Sequence, residues 1–334
     1  MPSFNKAFHH KARVAQSVVS LSRRLCSIMS GSVASDFFRA KYEREARKNW
    51  DIFYKNNRDN FFKDRHWLAR EWPEVFPAAV GHANESPADD DDGNGVVEDA
   101  RDGPGPTYEY DASQPRVFLE LGCGVGNTVF PLLELDSSAT VYCCDFSARA
   151  VDLVKERASK LPERDRDRVK AFVCDGTCES LLDNVPAGSV DVCTMIFALS
   201  AMSREKMSFC ARNVATVMRG GKKGVVCVRD YAAGDLAQER LNGKDSQKIS
   251  DNFYVRGDGT RAYYFSPDDL TELFAAEGME MRRLHVQSRT ITNRAKSVDM
   301  NRRWIQASFA SRDEPLTEFV PPPPEANPHV AAWR

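Results

Sequence analysis

The chain has 334 residues, 42% of them apolar and 28% charged, with a formal net charge of −2. That is enough for one large domain or two modest ones with a real core, and the charge balance alone names no partner. No apolar stretch approaches the ~20 residues needed to cross a bilayer as a helix, and the nine cysteines, mostly beside apolar runs, read as reduced thiols of an intracellular protein.

Residues 1–35 hold five Lys/Arg, eight Ser and no acid. This composition fits a mitochondrial transit peptide or a basic disordered leader, so the compartment is expected to be cytoplasmic or mitochondrial. Residues 36–80 are expected to form an N-terminal helical segment, in which the chain from Ser35 to about Tyr54 reads as one helix with Phe38, Tyr42, Trp50 and Tyr54 on related turns. The same segment continues into NNRDNFFKDRHWLAREW, where aromatic residues alternate with Arg and Lys. Residues 81–112 carry ten acids and one Arg with few apolar groups, which predicts a disordered insertion.

Beyond it, from about 113 to 311, short apolar runs at 117–121, 139–144, 169–174, 189–197 and 223–228 alternate with helical stretches, among them 127–135, 147–160 and 203–218. Helices are expected in all four intervals, and the alternation predicts an α/β fold with a mostly parallel sheet flanked by helices. SPDDLTELFAAEGM (266–279) has a Ser cap, Pro at the first helical position, early Asp residues and a stop at Gly278. Two closing strands, 280–289 and 303–309, bring the count to seven, and the Pro-rich tail 312–334 is expected to be extended.

Gly122, Gly124 and Gly126 lie between a strand and a helix in FLELGCGVGNT, the place where a backbone comes close to an adenosine cofactor. A dinucleotide fingerprint would need glycine where the chain has Asn127. Glu120 before the loop, Asp145 at the end of the second strand and Asp175 at the end of the third would repel a pyrophosphate. They suit the cationic S-adenosylmethionine, with Asp145 accepting ribose hydroxyls and Asp175 the adenine amine. The expected fold is therefore a class I methyltransferase (Rossmann-like) core. No metal is expected: Cys174 and Cys178 have ligand-like spacing, but no second Cys/His pair lies at zinc-site spacing.

KNWDIFYKNNRDNFFKDRHWLAREWPEVF, ELGCGVGNTVFPLLE, CDFSARAV, SVDVCTMIFALSAM, VRDY and NFYVRGDGTRAYYFS together resemble the tRNA 3-methylcytidine methyltransferases of the methyltransferase-like group. The likeness spans roughly residues 36–309 outside the acidic insertion. It departs at Gly257 and at Ala232 and Ala233. The resemblance implies S-adenosylmethionine contacts from Trp50, Tyr54, Gly122, Asp145, Asp175 and Ile196. It also implies a cytidine of a tRNA anticodon loop as substrate, with an aminoacyl-tRNA synthetase or another accessory protein required by some members. Trp50 and Tyr54 are four apart, so they share a helix face and can offer cation–π attraction to a sulfonium.

Cytosine N3 keeps a lone pair in the neutral base, so alignment and stabilisation of the charge that appears on the ring matter more than a general base. Asp230 is the expected carboxylate beside the base, with Arg229 and Tyr231 positioning it. N3 lies on the Watson–Crick edge, so the base must be unpaired or flipped. Arg58, Phe61, Lys63, Arg65 and His66, together with Arg289, Asn293 and Arg294, are the expected RNA-binding residues. Two other readings keep the cofactor: a methyltransferase of small molecules or proteins, and a noncatalytic cofactor-binding subunit.

Overall fold

The computed structural model describes residues 36–59, 61–76, 96–103, 108, 114–244, 247–293 and 298–323. The leader 1–35, most of the acidic insertion, Arg294 and the end of the tail lie outside the described residues.

The five apolar runs form parallel strands β2 (Val117–Leu121), β3 (Thr140–Asp145), β4 (Val169–Val173), β5 (Val192–Ile196) and β6 (Val225–Tyr231). They join β1 (Val96–Asp102), β10 (Glu280–Asn293) and β11 (Val298–Ala310) in one eight-stranded sheet of order β1-β10-β11-β6-β5-β2-β3-β4. The last strand is inserted antiparallel: β11 lies between β10 and β6 and is antiparallel to both. β7 (Lys248–Ser250), β8 (Phe253–Val255) and β9 (Arg261–Tyr263) make a separate small sheet.

Helices α1 (Asp36–Arg44) and α2 (Ala46–Asn57) replace the single helix expected there, and the turn α3 (Leu68–Glu71) follows. Next come α4 (Val129–Leu135), α5 (Ala148–Ser159), α6 (Glu163–Arg166), α7 (Arg204–Val217), α8 (Leu236–Asn242) and α9 (Pro267–Ala275). The signals at 266–279 read correctly. Ser266 and Asp269 form a reciprocal capping box, Pro267 opens α9, and Gly278 turns the chain at φ +74° just beyond it.

Three expectations are corrected. The interval between β4 and β5 holds no α-helix but a 3₁₀ turn at Leu181–Asp183. Its backbone is held from outside by buried Asn213, which accepts from Leu181 N at 3.0 Å and donates to Gly176 O and Glu179 O at 3.0 and 2.7 Å. Secondly, Val96–Asp102, placed in the disordered insertion, is an edge strand antiparallel to β10. It buries little, so hydropathy gave no sign of it; β10 supplies its backbone partners, and Glu98 and Arg101 pair with Arg303 and Asp268. The main sheet therefore has eight strands, not seven.

The core follows from the sequence pattern. β5 is buried at every position, as a parallel strand covered on both faces must be. Trp67, Leu68, Trp72 and Phe76 cover one face of the sheet over Phe118 and Val129. The eight described cysteines carry free thiols; seven are buried and Cys178 is exposed.

Candidate active site

The carboxyl ends of β2, β3 and β5, together with α2, surround a cleft whose lining includes Trp50, Tyr54, Gly122, Asp145 and Asp175. Its space, open solvent at the mouth included, is about 940 Å³. The loop after β2 passes close to its neighbours because its glycines allow it. Gly122 and Gly124 have φ of +72° and +52°, and a Cβ would lie 2.6 Å from the Ala198 Cβ and 3.0 Å from the Tyr54 hydroxyl. Gly126 serves packing instead, since its Cβ would meet the Phe130 ring at 2.6 Å.

Asp145 is buried at the end of β3 and accepts from Gly124 N at 3.0 Å and from Ser147 N at 2.9 Å. Burial pushes its carboxyl up to about 6, with Asp51 and Asp175 adding to the rise and the two backbone donors opposing it. Asp175 lies two residues past β4, accepts from Thr177 Oγ1 at 2.6 Å and stands 4.0 Å from the Arg47 guanidinium. Trp50 and Tyr54 stack at 5.6 Å with 28° between their planes. Burial, and after it the Asp145 charge, holds the Tyr54 phenol well above its ordinary range.

The segment carrying α1 and α2 is tied to the core by polar contacts. Glu43 binds Lys206 at 2.7 Å and also pairs with Arg261. Burial alone would raise the Glu43 pKa, but those two cations outweigh it and hold the carboxylate below its usual range. Asn49 Nδ2 donates to Gly259 O at 2.9 Å, and Arg39 Nε to Ile249 O at 3.0 Å.

A second, smaller cavity adjoins the first. Trp50, Tyr54, Gly122, Phe197 and Arg261 line both, while Ile196, Ser200, Tyr231, Arg65 and Arg256 line the second alone. Phe197 follows β5 at φ +57°, a left-handed backbone uncommon for a bulky residue, and its ring lies 5.0 Å from Tyr231.

Several expected residues stand elsewhere. Glu120 is fully buried within the sheet and does not line the cleft; it accepts from Thr194 Oγ1 and lies 3.6 Å from Arg65. Burial, opposed by Arg65, raises its pKa to about 8. Arg65, expected on an RNA surface, instead points inward to Glu120 and donates to Thr128 Oγ1 at 2.6 Å. Arg229 is buried between the Trp67 and Trp304 rings and binds Gln306 Oε1 at 2.9 Å, with Glu71 at 3.4 Å, so it positions no base. Asp230 is 0% exposed and accepts from Ser200 N and Tyr231 N, both at 2.9 Å. Strand alternation turns it away from the cavity that Tyr231 reaches. Burial raises its carboxyl to about 6.

Of the expected RNA contacts, Phe61 is exposed beside Phe62 at 4.6 Å, and Lys63 is exposed. Arg58 and His66 are exposed but face Glu156 at 3.5 Å and Glu134 at 3.4 Å. Arg289 is half-buried on β10, and Asn293 closes that strand. Sequence reasoning missed Ser200, Arg256, Arg261 and Glu43, whose partners lie far away in the chain. The signal for Arg256 was present in VRGDGTR, used for resemblance and not for chemistry.

A sheet with this order, a glycine loop after its first parallel strand and a cleft at the carboxyl ends define a class I methyltransferase. Residues 119–222 match the family described as a methyltransferase domain. The chain is 40% identical over 278 residues to the tRNA N(3)-cytidine methyltransferase METTL6 of Homo sapiens, covering 83% of this chain and 84% of that protein. It is 41% identical over 273 residues to METTL2 of Danio rerio, covering 80% and 74%, and 38% identical over 280 residues to trm141 of Schizosaccharomyces pombe, covering 83% and 98%. The chain belongs to the tRNA N(3)-cytidine methyltransferase family.

Proposed function

We infer that the protein is an S-adenosylmethionine-dependent methyltransferase that forms 3-methylcytidine in tRNA, acting on a cytidine of the anticodon loop. The observation that carries this reading is the cleft at the carboxyl ends of the parallel strands, where Asp145 and Asp175 stand beside the glycine loop and two stacked aromatic rings, Trp50 and Tyr54. Two aromatic faces and carboxylates at the ends of β3 and β4 fit a cationic adenosine compound, and the third carboxylate of the lining, Glu43, is taken by Lys206 and Arg261. S-adenosylmethionine supplies an electrophilic methyl group on a positively charged sulfur. Asp145 would hold the ribose hydroxyls, Asp175 the adenine amine, and Trp50 with Tyr54 would cover the sulfonium and exclude water.

The chain's own work on the acceptor is to hold and orient. Neutral cytosine needs no proton removed from N3, so a base is not required of the protein. Tyr231 and Phe197 offer ring faces for a flipped base in the adjoining cavity. Asp230, buried behind Tyr231, supplies negative potential that offsets the charge left on the methylated ring.

The purified chain, incubated with total tRNA and a labelled methyl donor, is expected to place label in 3-methylcytidine, read by mass spectrometry of the nucleosides. Label in another nucleoside, or in protein, would refute the reading.

A further inference from the structure

Building on that function, we propose that Ser200 and Arg256 read the two groups that flank N3 on the cytosine edge: Ser200 Oγ accepts from the exocyclic amine, and the Arg256 guanidinium donates to O2. Both line the cavity that shares Trp50, Tyr54 and Gly122 with the cofactor cleft, so a base held there meets the donor's cleft along one side.

The hydrogen-bonding capacity of each residue is set by its neighbours. Asp230 accepts the backbone N–H of Ser200 at 2.9 Å, which holds the Ser200 side chain beside that carboxylate, whose pKa its hydroxyl lowers. A hydroxyl whose single proton is committed has only lone pairs left to offer. Ser200 therefore presents an acceptor to the cavity. Arg256 carries five N–H donors and no acceptor. Its backbone is fixed in a tight turn between β8 and β9, with Arg256 N donating to Thr260 O at 2.7 Å and Gly259 N to Arg256 O at 3.0 Å. Its guanidinium lies 5.0 Å from the centre of the Tyr231 ring, which lines the same cavity.

An acceptor and a donor on either side of the reacting atom match cytosine, whose edge runs amine, N3 lone pair, carbonyl O2. Uracil would bring O4 against the Ser200 lone pairs and an N3–H where a nucleophile is needed. Guanine reverses the pattern at both ends, and adenine leaves Arg256 without an acceptor. The pair thus distinguishes cytosine from the other three bases.

The test uses the full chain and tRNA transcripts carrying at the target position cytidine, the 2-pyrimidinone ribonucleoside that lacks the amine, or 2-thiocytidine, whose sulfur is a weaker acceptor than O2. With the wild-type chain each analogue is expected to lower kcat/KM by about tenfold to a hundredfold relative to cytidine. Ser200→Ala should shrink the penalty for the missing amine to the part set by the less basic N3 of the analogue and keep the penalty for the sulfur; Arg256→Ala should shrink the penalty for the sulfur and keep that for the amine. These ratios are taken within one preparation, so they do not depend on how much of a variant is folded. Where a variant is too slow to assay, competition binding of the same three transcripts gives the ratios. Wild-type ratios in both variants would overturn the proposal, and a wild-type ratio in one would remove that residue from it. Failure of the wild-type chain to methylate cytidine N3 at all would instead refute the function on which the proposal rests.

Discussion

Asp145 carries two pH dependences of opposite sign. Its carboxyl is raised from 3.8 to about 6 in the folded chain, so its contribution to stability is fully present below pH 3.8 and lost as pH rises through about 6. Cofactor binding needs the ionised form as acceptor and runs the other way. Calorimetry with S-adenosylhomocysteine should show affinity falling about tenfold per unit as pH drops below 6, and Asp145→Ala should bind weakly at every pH. A flat wild-type profile across that range would remove Asp145 from the site. Arg65 makes a different point about single residues. In the sequence it is one cation among many in a basic, aromatic segment; in the fold it is the partner of fully buried Glu120. Arg65→Ala should therefore cost about 1 kcal/mol in a denaturant melt near neutral pH, through the lost hydrogen bond to Thr128, and more above pH 8, where Glu120 ionises without its cation. Spacing told which residues were cationic, but not which side of the chain would face the core. That depended on contacts with residues more than fifty positions away.

At the level of elements, what was local was legible. The capping box of α9, the five apolar runs and the glycines after β2 are each specified by neighbours in sequence, and they stand where expected. The elements that were missed depend on distant partners: β1 has nothing to bury until β10 offers its edge, and the 3₁₀ turn at 181–183 is held by Asn213. Gly122→Ala tests the loop. At φ +72° and with Ala198 where its Cβ would go, this change should abolish cofactor binding and lower the melting temperature, read by calorimetry and thermal denaturation. Asn49→Ala tests the tie between α2 and the Arg256–Thr260 turn. Loss of that hydrogen bond should cost about 1 kcal/mol in stability and should raise the dissociation constant for S-adenosylhomocysteine, because Trp50 is the next residue on the helix.

For the molecule as a whole, the electrostatic footprint is smaller than a count of Lys and Arg suggests. Arg58 faces Glu156 and His66 faces Glu134, while on β11 Arg302 and Arg303 are taken by Asp235 and Glu98. Each phosphate contact adds about 0.9 to the slope of log affinity against log salt for duplexes and somewhat less for single strands. Arg58→Ala should thus leave the slope for tRNA binding unchanged; a fall of about 0.7 to 0.9, one phosphate contact, would show that the Glu156 pair opens on the RNA. The overall architecture was readable because an alternation of buried strands and amphipathic helices admits few arrangements. The acceptor cavity was not, because its walls come from β5, β6 and the small sheet, brought together only by the crossover connections.

The distribution of thiols offers a practical handle. Seven of the eight described cysteines are shut inside the core, whereas Cys178 is exposed three residues after Asp175 and hydrogen-bonds back to it through N–H at 2.9 Å. With Cys26 replaced by serine, a maleimide fluorophore would attach at Cys178, close in the chain to Asp175 of the cleft lining. Its emission would then follow entry and departure of the nucleoside in real time, apart from any turnover.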